Sequence, residues 1–177
     1  MTFQQMLTFG KTGEGIIAQW LRRKGYSILP VYENEQGQYK GPALYAVNAE
    51  LIAPDMLVFK PTGKTIWVEA KTKSAFAYHR ISGSWTTGID LRNYADYLRV
   101  QAVSPWPVWL LFLQLAGQAK DGPPGCPTGL FGNSLDYLSK HEHHRHSNWG
   151  RSGMVYWQHT ALRKIANLAD ILPQKGD

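Results

Sequence analysis

Asp55, Glu69 and Lys71 are spaced so that a hairpin would bring two carboxylates and an ammonium group together. They lie in the run from Ala53 to Lys71, whose middle reads Lys60-Pro61-Thr62-Gly63-Lys64. Proline at the second turn position and glycine where a left-handed residue is wanted predict a type I turn closed by a glycine bulge. With Lys60 facing Lys64, Asp55 falls directly opposite Glu69. Opposed residues of an antiparallel pair share a face, and Lys71 shares it through the two-residue repeat of a strand. Two carboxylates this close repel unless a cation lies between them. Oxygen donors of this kind suit Mg²⁺ or Mn²⁺, so the run holds a candidate divalent-metal site. A solvated hairpin end with an ordinary ion pair is the competing reading. Against it stands the apolar run Ile66-Trp67-Val68: a glutamate continuing that strand lies near a buried edge, where an unpaired charge is costly.

The elements around this hairpin follow from pattern. Ile16, Ile17, Trp20 and Leu21 recur at helical spacing and predict a first helix over 12–24, with Gly25 placed to end it. Residues 26–32 read as a strand. From Glu33 to Ala43 the chain turns polar and glycine-rich, a loop, and Leu44, Tyr45 and Val47 suit a short strand. Ser74 to Thr87 reads as a polar connection. Asp90 or Asn93 is placed to cap a second helix reaching Val103, and Pro105 stops it. Val108 to Leu115 is a continuous apolar run, as in a buried central strand. Beyond the turn-rich stretch 118–128, the pattern gives a C-terminal extension over about 128–172. It holds Leu135 to Leu138, a histidine-rich loop, a strand at Met154 to Trp157 and a helix over 160–168. The order helix–strand–strand–strand–helix–strand is an α/β layer arrangement, a mixed sheet flanked by helices.

A length of 177 residues, 44% hydrophobic and 18% charged, suits one globular domain spanning 1–177. No stretch approaches the roughly 20 apolar residues of a membrane span, no secretory pattern opens the chain, and Cys126 is its single cysteine. A soluble, cytoplasmic protein is expected. Nineteen Lys and Arg against thirteen Asp and Glu give a net charge of +6, which favours a polyanionic partner.

With Pro54-Asp55, then Glu69-Ala70-Lys71, and Glu14 upstream on a helix, the chain resembles the PD-(D/E)xK nuclease superfamily, whose fold is restriction-endonuclease-like. The resemblance covers about 10–115. Within it, Thr87-Gly88-Ile89-Asp90, then Tyr94, Tyr97 and the apolar strand, is similar to phage or prophage nucleases related to Holliday junction resolvases. The resemblance implies a metal-dependent endonuclease hydrolysing DNA, with branched or junction DNA among its substrates, and is compatible with a homodimer. It implies Mg²⁺ or Mn²⁺ held by Asp55, Glu69 and the Ala70 backbone carbonyl. Lys71 would orient or deprotonate the attacking water, and the products would carry a 5′-phosphate and a 3′-hydroxyl. Two alternatives are a catalytically silent nucleic-acid-binding domain and a nuclease subunit of a larger phage or mobile-element complex. The presence of all three of Asp55, Glu69 and Lys71 argues against the silent domain.

Glu14, in the first turn of the 12–24 helix, either adds a metal contact or only offsets the helix dipole, worth roughly a few tenths of a kcal/mol. Its neighbours Gly13 and Gly15 would leave room for a DNA backbone. Lys11, Lys73, His79 and Arg80 are candidates for the DNA cleft, and Gln101 for a polar helper from the second helix. His141-Glu142-His143-His144-Arg145-His146 is a compositional metal signal. Adjacent residues on one loop rarely converge as three ligands, however, and Asn148 follows His144 too soon for a histidine–asparagine–histidine nuclease. A basic, solvated loop able to contact DNA is expected there.

Overall fold

The computed structural model describes residues 3–31, 42–119, 121–148 and 152–172, with side chains from residue 12 onward. Helix α1 (Phe3–Arg23) begins nine residues before the predicted start. Ile17, Trp20 and Leu21 are buried on one of its faces, each such side chain worth about 1.5–3 kcal/mol on leaving water. Its end is set as expected. Gly25 adopts a left-handed conformation, its N–H donates to the Arg22 carbonyl, and Tyr26 N–H reaches back to Leu21, the pairing of a Schellman cap.

Strand β1 (Ser27–Pro30) follows, then the hairpin of β2 (Ala43–Ala46) and β3 (Ala49–Ile52), which places Leu44 in a strand and Val47 in the turn. The loop expected over 33–43 lies mostly outside the described residues. Strands β4 (Met56–Phe59) and β5 (Thr65–Lys73) form the hairpin at the centre of the prediction. Its register pairs Met56 with Val68 and Phe59 with Thr65. The turn closes through Lys60 N–H to the Lys64 carbonyl and Gly63 N–H to the Lys60 carbonyl, with Gly63 at φ +80°. Continued one step, that register sets Asp55 opposite Glu69.

After β6 (Ala77–His79) and β7 (Ser84–Asp90) come α2 (Leu91–Val103), β8 (Val108–Gln114), β9 (Gly129–Ser134), the single turn α3 (Leu135–Leu138), β10 (His144–His146), β11 (Met154–Gln158), β12 (Arg163–Ala166) and α4 (Leu168–Ile171). The main sheet runs β1-β4-β5-β8-β9-β12; β5 and β8 are parallel and the other neighbours antiparallel. Its two faces carry separate cores. Ile17, Trp20 and Leu21 of α1 pack on Met56, Val68, Ala70 and Leu111. Tyr94, Tyr97 and Val100 of α2 pack with Leu57, Trp67, Leu110 and Phe112. The architecture is thus a mixed sheet with helices on both faces, and its helix–strand–strand–strand–helix–strand core is the expected one, interrupted by the β2–β3 and β6–β7 hairpins.

Two expectations need correction. The polar connection Ser74 to Thr87 is not a loop: it contains β6 and most of β7, which join β10 and β11 in a second sheet ordered β10-β11-β7-β6. The C-terminal extension over 128–172 contributes β9 and β12 to the main sheet. The helix expected over 160–168 is a 3₁₀ turn (His159–Ala161) and strand β12, paired with β9. Leu162, Ile165 and Ala166 have helical spacing, but pairing with β9 overrides that local signal. Arg163 and Lys164 then lie on an edge strand, where charge discourages pairing with other chains.

Candidate active site

The site forms where β4 begins and β5 crosses the sheet. Asp55 Oδ2 accepts a hydrogen bond of 2.8 Å from Ala70 N–H. Glu69, beside Ala70, is 1% exposed, and Lys71 Nζ stands 2.5 Å from its Oε1. Among the described residues only that ion pair and the Tyr97 hydroxyl approach the Glu69 oxygens. Burial pushes the Asp55 carboxyl well above the usual carboxylate range; the Glu69 charge pushes it further, and Lys71 and the Ala70 hydrogen bond oppose the shift. Burial pulls the Lys71 ammonium down, yet Glu69 and Asp55 outweigh burial and hold it well above an ordinary lysine. The folded chain therefore keeps two carboxylates in mutual repulsion under one lysine.

Glu14 belongs to the same group, because its charge acts on both Asp55 and Lys71. It is not in a first turn, since α1 starts at Phe3, so the helix-dipole reading is withdrawn. The glycines beside it differ. A Cβ at Gly13 would collide with Thr72 Oγ1, so Gly13 lets α1 press against β5; Gly15 faces open space. The close approach that Gly13 permits is to the chain's own strand.

Tyr97 completes the pocket from α2. It is 1% exposed, and burial, followed by the charges of Glu69 and Asp55, raises its hydroxyl well above the usual phenol. In the sequence Tyr97 stands out only within the resemblance, beside Tyr94; nothing there distinguishes a tyrosine against carboxylates from one in a core. Gln101 is occupied elsewhere. Its amide donates to Asp136 Oδ1 at 2.8 Å and accepts from Val108 N–H at 3.0 Å, bracing α2 against β8 and α3. Lys73 lies at the end of β5, His79 at the end of β6 and Arg80 in the exposed turn after it. Lys11 falls within α1, and its side chain lies outside the described residues.

The donors fit a hard divalent cation. Asp55 and Glu69 supply oxygen, Glu69 is buried with only Lys71 and the Tyr97 hydroxyl beside it among the described residues, and a cation would relieve the repulsion. Among the described residues no three His, Cys, Asp or Glu side chains form a metal cage.

The histidine segment is partly docked: Glu142, His143 and His144 are half-buried, while His141, Arg145 and His146 are exposed. Tyr94 OH donates to Glu142 Oε1 at 2.6 Å, and Arg145 Nε pairs with Glu142 Oε2 at 2.7 Å. His141 stacks on Tyr137, and His144 lies parallel to Tyr156 at 4.5 Å. The rings of His143 and His144 meet His79 at 4.9 and 4.4 Å. Because β6 and β10 are opposite edges of the second sheet, these rings clasp its two edges together. His143 Nδ1 and His144 Nδ1 are 2.7 Å apart, so one ring donates and the other is unprotonated there.

This clasp predicts a pH response. Burial lowers both rings, His144 to about 4, and His79, His143 and His146 add like charge around it. The charged groups nearby, Glu142 and Arg145, are engaged with each other. A lowered pKa gives stability that is complete above the unfolded value of about 6.5 and fades as pH falls towards the folded one. Amide protection factors in β6 and β10 are expected to fall between pH 7 and pH 4, ahead of those in β5 and β8. Unchanged protection at these edges would remove the clasp.

The main sheet and its flanking helices form a restriction-endonuclease-like fold. The solved structures with which the chain shares it include Hjc of Archaeoglobus fulgidus, a Holliday junction resolvase from an archaeal hyperthermophile. That match has a TM-score of 0.50 at 7% identity and covers 86% of this chain and 90% of Hjc. D212, a nuclease from a fusselovirus, matches at a TM-score of 0.40 and 12% identity over 90% of this chain and 83% of its own. No protein-family model and no curated protein sequence matches the chain.

Proposed function

We propose that this chain is a metal-dependent deoxyribonuclease that hydrolyses phosphodiester bonds at the Asp55–Glu69–Lys71 site. The observation that carries the reading is the buried carboxylate pair, opposed across a hairpin with a lysine beside it, in a fold shared with a resolvase. The net charge of +6 suits a nucleic-acid partner. Among the described residues no helix is long and apolar enough to cross a membrane.

Asp55 and Glu69 would hold the cation, with the Ala70 carbonyl as a further oxygen donor and Glu14, whose charge reaches Asp55 and Lys71, placed to hold a metal-bound water. When bound, Mg²⁺ or Mn²⁺ would lower the pKa of a water and polarise a phosphoryl oxygen. Lys71, kept charged by its carboxylate neighbours, is suited to neutralise charge growing on the phosphate rather than to act as the base. Attack of water at phosphorus with loss of the 3′-oxygen leaves a 5′-phosphate and a 3′-hydroxyl. Tyr97, against the pair, excludes water from their inner side.

Hjc is a Holliday junction resolvase, so junction DNA is the first substrate to try. Four-way junction, linear duplex, single-stranded and circular DNA, each incubated with Mg²⁺, Mn²⁺ or EDTA, should show cleavage only with the cations. Preference for the junction would extend the resemblance to substrate. Binding without cleavage of any of them would favour the silent-domain reading.

A further inference from the structure

Lys71 shares its face of β5 with a second lysine. The two-residue repeat puts Glu69, Lys71 and Lys73 on one side of the strand, with Lys71 and Lys73 about 6.6 Å apart along it. Their surroundings differ. Lys71 is ion-paired to Glu69, whereas among the described residues no carboxylate lies within ion-pair distance of Lys73. Asp90, at the junction of β7 and α2, acts on Lys73 electrostatically without closing such a pair. Asp90 or Asn93 was expected to cap α2; Asp90 stands at the N-cap, but its side chain makes no capping bond there.

Lys73 is therefore a half-buried cation beside another cation, with no anion in contact among the described residues. Burial, then Lys71, lowers its ammonium to about 8, and Asp90 and Glu69 only partly oppose this. A folded chain gains nothing from such an arrangement by itself. A phosphate at Lys73 would relieve both the unmet charge and the repulsion from Lys71. On one face of a strand, two lysines two residues apart can contact successive phosphates of a nucleic-acid backbone.

We propose that Lys73 binds the phosphodiester group adjacent to the one cleaved, and so places the scissile phosphate against Lys71 and the carboxylate pair. The proposal rests on the nuclease reading of this site and adds the part of the substrate that Lys73 recognises: a neighbouring phosphate, read through charge alone.

The test uses the full chain with labelled DNA. Under cleaving conditions Lys73→Ala should raise KM about tenfold, the worth of one charged contact, with kcat nearly unchanged. In EDTA its binding should weaken, and the slope of log affinity against log salt should become shallower by about one. Between pH 7 and pH 9 the wild-type KM should rise as Lys73 loses its proton, while Lys71 stays charged. Lys73→Arg should keep a low KM across that range, because guanidinium does not titrate. A merely structural lysine would move neither the salt slope nor this pH profile. An unchanged KM and slope in Lys73→Ala, with the wild type cutting normally, would overturn the proposal, and so would a Lys73→Arg profile that follows the wild type. Should the wild type bind but never cut, a shallower slope in Lys73→Ala would uphold the phosphate contact while the nuclease reading fell. Absence of any DNA binding would overturn both.

Discussion

Glu69→Gln and Asp55→Asn are each expected to give a folded protein whose DNA cleavage falls about a thousandfold or more. Each change removes one anionic oxygen donor and little volume. Losing a bound cation that polarises the phosphate costs several kcal/mol of transition-state stabilisation, and each 1.36 kcal/mol is tenfold in rate. The two variants should part company in stability. Burial and the Glu69 charge both disfavour the Asp55 carboxylate, so Asp55→Asn should melt at or above the wild-type temperature when no metal is present. Glu69→Gln loses the partner of Lys71 and should melt lower. Added Mg²⁺ should raise the melting temperature of the wild type and of neither variant. Cleavage within tenfold of wild type in both, by the same assay, would remove these residues from the chemistry.

Lys71→Ala should lower kcat about a hundredfold or more while KM changes little, because its charge acts on a phosphate that becomes more negative in the transition state. It also leaves Glu69 buried without its ion pair, so melting must be followed beside the kinetics. Lys71→Arg keeps the charge and should recover the melting temperature and only part of kcat, since the guanidinium is larger and planar. Steady-state kinetics on one DNA substrate separate the cases. A loss confined to KM would give Lys71 a binding role instead.

The hairpin was legible because its information is local. Pro61 and Gly63 set the turn, the turn sets the register, and the register opposes Asp55 to Glu69. Both long helices and the buried strand β8 were legible for a similar reason, their apolar periodicity. The second sheet was not, because the serines, threonines and glycine of Ser74 to Thr87 break up its apolar Phe76, Tyr78 and Trp85, and β7 finds its partner β11 some seventy residues later. The same distance hid the clasp between His79 and His143–His144, where neither segment alone carries a signal for the other. Strand β12 was misread because its apolar positions fit a helix, and only the presence of β9 beside it decides otherwise. Within the site, charge types were readable and burial was not. Tyr97 against the carboxylates and Lys73 without an ion-pair partner emerge only once the sheet is assembled.

The claim on which the account turns is that Asp55 and Glu69 together hold a divalent cation. Titration of the metal-free, tag-free chain with Mn²⁺, followed by electron paramagnetic resonance, tests it directly. The account predicts saturable binding to the wild type that is lost in Asp55→Asn and Glu69→Gln and retained when His143 and His144 are both replaced by Asn. Binding that survives both carboxylate changes but disappears with the two histidines would contradict it, and would move the metal to the clasp of the second sheet.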